Sequence, residues 1–114
     1  MAKIGTTRYY SNKQEKRVAK LVNGKQTANS GATAFSKGDV YNDSWLIECK
    51  TSTSEKQAVS IKRDWIEKNK EEAFAMNKLY SAVAFDFGNG DNYFIIDEKT
   101  FKTLLELLEE KENE

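Results

Sequence analysis

Asp39, Glu48 and Lys50 are the residues of this chain whose types and spacing could do chemistry. They fall in KGDVYNDSWLIECKT, residues 37–51, where an apolar run, Trp45-Leu46-Ile47, leads straight into Glu48, Cys49 and Lys50. On an extended strand, alternation puts Leu46, Glu48 and Lys50 on one face and Ile47 and Cys49 on the other. The turn signal Asn42-Asp43-Ser44 folds Asp39-Val40-Tyr41 back alongside that strand, which brings Asp39 near Glu48. Two converging carboxylates repel unless a cation lies between them, and Mg²⁺ is held by one or two carboxylates in this way. Lys50 addresses the same place and can donate to a water or a phosphate oxygen, offsetting charge that develops in a transition state. The ordinary alternative is an exposed ion pair, worth ~0–1 kcal/mol.

The rest of the composition narrows the chemistry. There is no histidine, and Cys49 is the single cysteine, so His-based triads, His-ligated zinc and multi-cysteine sites are excluded. Hydrolysis by this chain must rely on carboxylates, lysine and, where a metal takes part, a hard ion. Cys49 itself reads as a small core residue. The 114 residues suit one domain with a modest core. No apolar run approaches the ~18 residues of a membrane span, and the first residues lack the apolar core of a signal peptide. A cytoplasmic location is expected, that of the host if the chain is phage-encoded.

The elements that must position these residues read as follows. Residues 11–25 form a helix with Ser11 or Asn12 as N-cap, an apolar stripe at Val18, Leu21 and Val22, and an end at Asn23-Gly24. Residues 26–38 are a Ser/Thr/Ala/Gly-rich loop with room for one short strand. Two strands, 39–41 and 45–52, are followed by a polar connection. A second helix, capped by Ser60 and closed by Asn77, carries Ile61, Trp65, Ile66, Phe74 and Met76 at apolar positions. Residues 79–97 form a hairpin around Gly88-Asn89-Gly90-Asp91. A last helix shows Phe101, Leu104, Leu105 and Leu108 on one side. Trp45 and Trp65 read as core. The order predicts an α/β sandwich around a mixed sheet.

The net charge of zero hides an asymmetry. Residues 1–63 carry 12 Lys/Arg against 5 Asp/Glu, and residues 64–114 carry 6 against 13. The basic first half suits a polyanion, with Lys13, Lys16, Arg17, Lys20 and Lys25 on or just after the first helix as phosphate contacts. The alternative is chance segregation of charge on solvated faces.

A helix, then a hairpin bearing Asp39 and Glu48-Cys49-Lys50, resembles the PD-(D/E)xK nuclease superfamily. The pattern is most similar to its small archaeal and phage Holliday-junction resolvases. The resemblance implies a restriction-endonuclease-like core, a mixed β-sheet flanked by helices in the order α-β-β-(β)-α-β-β-α. It implies metal binding by Asp39 and Glu48, a catalytic role for Lys50, and a Mg²⁺- or Mn²⁺-dependent endodeoxyribonuclease acting on branched DNA. Glu15 matches the first-helix acid that completes or supports the metal site. Ser30, in ANSGAT, matches a loop serine near the scissile phosphate, and Lys25 and Lys37 loosely match the basic loop residues. Gly38 stands where the superfamily commonly has proline. A four-way junction is two-fold symmetric and one chain supplies one site, so a homodimer is expected, with Tyr80, Phe85, Phe87 and Phe94 available for the interface. The rival readings are a restriction-like or nicking phage nuclease on the same core and a non-catalytic DNA-binding module.

Overall fold

The computed structural model describes residues 3–27 and 39–114. Eight elements follow in chain order: α1 (Thr7–Leu21), β1 (Lys25–Gln26), β2 (Val40–Tyr41), β3 (Trp45–Lys50), α2 (Arg63–Ala75), β4 (Tyr80–Phe85), β5 (Tyr93–Ile95) and α3 (Glu98–Glu112). The five strands form one mixed sheet in sequence order, β1-β2-β3-β4-β5. β3 and β4 pair in parallel and every other neighbour pair is antiparallel. A parallel pair needs a long crossover, which α2 provides. The fold is thus α/β with a mixed sheet and three helices; β1 starts at Lys25, where the sequence predicts the end of the first helix, and residues 28–38, most of the region with room for a short strand, lie outside the described residues. No described helix is long and apolar enough to cross a membrane.

The faces of β3 sort as alternation requires. Ile47 packs with Val18, Val40, Ala82 and Ala84 in the main core, and Cys49 and Trp45 lie against that cluster with Ala19 of α1 and Val22 just after it. On the other face, Lys50 reaches Trp65 of α2. Two buried amides tie the helices to the strand backbones. Gln14 Nε2 donates to Lys50 O at 2.9 Å, and Asn69 Nδ2 donates to Leu46 O and Ala82 O, each at 3.1 Å.

Several boundaries differ from expectation. α1 begins a turn early: Thr6, not Ser11 or Asn12, is the N-cap, its hydroxyl accepting the Tyr9 N–H. Its end is as expected. Asn23 is left-handed at φ 52°, and the Gly24 N–H donates to Ala19 O at 2.8 Å. A Cβ on Gly24 would run into the Tyr41 carbonyl, so this position also needs glycine for space. α2 starts at Arg63 after Lys62, which makes no side-chain cap, and Ser60 lies outside the helix. Phe74 is 84% exposed instead of sharing the buried stripe. The inward face of α2 runs through Asn69 and Ala73, and Phe74 points away from it. The two tryptophans are half-buried. Trp45 stacks on Tyr80 with ring centres 4.9 Å apart.

Asp86 fastens the chain just beyond Lys50. It is 2% exposed, and its carboxylate accepts from Thr51 Oγ1 at 2.9 Å, from the backbone N–H groups of Ser52 and Gly88, and from Arg17 at 3.2 Å. One buried acid therefore joins α1, the segment after β3 and the β4–β5 turn. Gly88 has φ +86°, and a Cβ there would collide with the backbone of Ser54.

Candidate functional site

The site is built where β2 ends beside β3. Val40 pairs with Ile47, and continuing the antiparallel register by one residue sets Asp39 opposite Glu48. The Asp39 N–H donates to Ile47 O at 3.1 Å, and Asp39 O accepts the Thr27 N–H at 3.0 Å. Asp39 Oδ2 accepts the Cys49 N–H at 2.7 Å. The side chain thus satisfies a β3 backbone donor as the strand pair ends, which ties the carboxylate to the β3 backbone one residue beyond Glu48. Charge-assisted bonds of this kind are short and strong.

Glu15 comes from α1 and is 7% exposed. Its Oε1 accepts from Gln26 Nε2 of β1 at 3.3 Å. Burial pushes its proton affinity up; Gln26 opposes this, and Glu48 adds to it. Glu48 is likewise raised, first by burial, then by Asp39, with Lys50 opposing. Asp39 is raised from 3.8 to about 6, by burial first; the Cys49 N–H counteracts this and the Glu15 charge reinforces it. The three carboxylates come from three elements, and each feels at least one of the others through low-dielectric surroundings.

Lys50 is a cation in direct contact with this group. Its Nζ stands 3.3 Å from Glu48 Oε1 and 4.7 Å from the centre of the Trp65 ring. Trp65 therefore acts as a platform that holds the ammonium over the acids. Cys49 sits on the opposite face, and burial drives its thiol far upward, so it is inert as a nucleophile.

A fourth acid, Glu72 of α2, belongs to the neighbourhood, although the spacing of Asp39, Glu48 and Lys50 does not point to it. Its charge raises both Asp39 and Glu48. The sequence does carry a signal: Glu72 lies seven residues after Trp65 and three after Asn69, on the same helical face.

The phosphate-contact residues fare unevenly. Lys13, Lys16 and Lys20 are exposed on the side of α1 turned away from the sheet, with Lys13 Nζ 5.3 Å from the Tyr9 ring centre. Lys25 is exposed on β1. Arg17 is committed to Asp86. Ser30 and Lys37 lie outside the described residues.

The donor set suits a hard divalent cation: oxygen-only ligands, short of solvation and short of positive charge. Among the described residues no three His, Cys, Asp or Glu side chains stand at coordinating distance from one centre. Comparison with family models, with curated proteins and with solved structures finds no match to this chain.

Proposed function

We propose that this chain is a metal-dependent DNA endonuclease with a restriction-endonuclease-like core of the PD-(D/E)xK type, selective for branched DNA in the manner of a Holliday-junction resolvase. One observation carries the reading: Glu15, Asp39 and Glu48 arrive from α1, the start of β2 and β3 to form a partly buried anionic cluster, with Lys50 held against it. Such an arrangement is costly unless a cation or a developing charge makes use of it.

Asp39 and Glu48 would hold Mg²⁺ or Mn²⁺, with Glu15 completing or supporting the set. When bound there, the ion supplies Lewis-acid polarisation of the phosphodiester and an acidified water. The chain's own residues do the rest. Trp65 and Glu48 hold the Lys50 ammonium in place, where it donates to a phosphate oxygen and offsets the charge that builds on it. Asp86, through Thr51 and Ser52, fixes the direction in which the chain leaves Lys50. The lysines of α1 and Lys25 attract the DNA backbone without reading sequence. A four-way junction has two equivalent strands to cut, so two copies of the chain would act on it.

The test is incubation of the chain with end-labelled linear duplex, flap and four-way DNA, with Mg²⁺ or with EDTA. Paired, symmetric cuts in the four-way substrate, abolished by EDTA, are expected. Metal-dependent cutting of every substrate alike would keep the nuclease and remove the junction selectivity. No cleavage with any substrate or metal would remove both.

A further inference from the structure

Lys50 belongs to a row of side chains that crosses the sheet to its β5 edge. It stands opposite Phe85 in the parallel β3–β4 register, and Phe85 stands opposite Tyr93 in the antiparallel β4–β5 register. Directly opposed residues share a face, so Lys50, Phe85 and Tyr93 lie side by side on the face that carries Glu48 and meets Trp65 of α2. Phe87, just past the end of β4, closes the row into a cluster. Its ring meets Phe85 edge-on with centres 5.5 Å apart and Tyr93 with centres 5.8 Å apart. Phe85 and Tyr93 lie 5.7 Å apart with their planes tilted by 31°.

The cluster is open on one side. Phe85 and Phe87 are half-buried, whereas Tyr93 is 51% exposed and β5 ends the sheet among the described residues. Edge-on contacts with Phe87 set the orientation of the other two rings. Cations flank the cluster on two sides. Lys50 lies along the row, and the exposed Lys56 is tied in through its backbone N–H, which donates to Phe87 O at 2.8 Å. Neighbouring strands are ~4.8 Å apart, so Tyr93 lies ~10 Å across the sheet from Lys50. An aromatic platform between cations, this close to a lysine that would address a phosphate, suits the flat face of an unstacked base whose backbone is held by charge.

We propose that Phe85, Phe87 and Tyr93 form a stacking shelf for a nucleobase uncovered at the branch point of DNA, with Tyr93 the ring on which the base lies. The choice of DNA as ligand rests on the nuclease reading. Inside a linear duplex both faces of every base are covered by its neighbours, so the shelf gains nothing there. At a branch point that stacking is interrupted, and a base can lie on Tyr93 while a neighbouring phosphate meets Lys50. The shelf therefore supplies what the lysines of α1 do not, since phosphates are common to linear and branched DNA. Every base has a π face, so selectivity gained by stacking is for structure and not for sequence. Tyr93 is in this scheme a specificity determinant, and the chemistry stays with the acids and Lys50.

Binding in EDTA tests this without any cleavage. Fluorescence anisotropy gives the ratio of the Kd for linear duplex to the Kd for four-way DNA with the same arm sequences. Wild-type protein should prefer the four-way DNA. Tyr93→Ala and Tyr93→Leu should each cut the ratio about tenfold, the worth of one base–aromatic stack, while affinity for linear duplex holds within about twofold. Tyr93→Phe keeps the ring and should keep the ratio within about twofold. Tyr93 lies outside the buried core, and Tyr93→Leu retains apolar bulk, so a loss shared by both variants reports the ring and not the fold. A ratio unchanged by Tyr93→Ala and Tyr93→Leu overturns the proposal, as does Tyr93→Phe as weak as Tyr93→Ala, or wild-type protein without preference. Sedimentation at the assay concentrations covers the other occupant: a mass that falls in Tyr93→Ala would make the cluster a contact between copies of the chain and overturn the shelf too. Absence of cleavage in the Mg²⁺ assay would remove the nuclease reading and leave the binding ratio standing, whereas an unchanged ratio would remove the shelf and leave cleavage standing.

Discussion

Asp39 and Cys49 are joined by a hydrogen bond in which the carboxylate Oδ2 accepts the backbone N–H at 2.7 Å. That bond holds an acid at the end of the β2–β3 ladder, beside the part of β3 that carries Glu48. It also lowers the cost of burying Asp39 without cancelling it, since the group remains raised from 3.8 to about 6. Its consequences can be measured.

The first prediction concerns pH and stability. Asp39 binds its proton more tightly in the folded state, so its contribution to stability is greatest below pH 3.8 and declines as pH rises to about 6. Burial is the main cause; the Cys49 hydrogen bond opposes it, and the Glu15 charge reinforces it. Asp39→Asn keeps an acceptor for the Cys49 N–H and removes the charge. It should stabilise the metal-free protein by about 1–3 kcal/mol at pH 8 and by almost nothing at pH 4. Urea unfolding at the two pH values with EDTA present checks this, and equal stability of mutant and wild type at pH 8 would contradict it.

A second prediction separates cleavage from binding. Asp39→Asn and Glu48→Gln should each abolish DNA cleavage while DNA affinity holds or rises, because a repelling carboxylate is gone. Lys50→Ala should slow single-turnover cleavage by ~10²–10³, the worth of one such donor. A reduction below about threefold would make Lys50 merely a partner in an ion pair.

Glu72 supplies a third prediction. Its charge raises Asp39 and Glu48. Glu72→Gln should shift the acid limb of the cleavage profile to lower pH while leaving the plateau rate within about twofold, as a remote charge acts on protonation and not on the reacting atoms. An unmoved limb would show that Glu72 is screened from the site.

The basic face of α1 can be tested through salt. Reversal of Lys13, Lys16 and Lys20 to Glu should flatten the dependence of log K on log salt, by roughly 0.9 for each phosphate that the variant no longer neutralises. Arg17 must be left out of that variant. Its pairing with Asp86 at 3.2 Å would confound binding with stability. A slope unchanged by the triple reversal would place the DNA-binding face on another surface.

Asp86→Ala provides the stability counterpart. It strands the donors of Thr51, Ser52 and Gly88 and leaves Arg17 without its partner. A destabilisation of about 2–4 kcal/mol is expected in urea unfolding, far more than the ~0–1 kcal/mol of a surface pair. Asp86→Asn should recover part of it, since one acceptor oxygen remains.

The one-dimensional pattern determined the local facts of this protein. Alternation along Trp45–Lys50 was enough to put Glu48 and Lys50 on one face and Cys49 on the other, and Asn42-Asp43-Ser44 was enough to bring Asp39 alongside. The Gly88–Asp91 turn and the end of α1 at Asn23-Gly24 were equally legible, because each depends on a few adjacent residues and on backbone angles that few residue types adopt. Only the tertiary structure decided what depends on distant neighbours. Glu72 counts because α2 crosses over β3, and Arg17 is withdrawn from the basic face because Asp86, 69 residues later, claims it. Phe74 lies outside although it is apolar, because α2 approaches the sheet through Asn69 and Ala73. The apolar side of α3 could be read in the sequence as a buried face; that none of its residues is buried among the described residues is a property of the assembled body, which periodicity within one helix cannot encode.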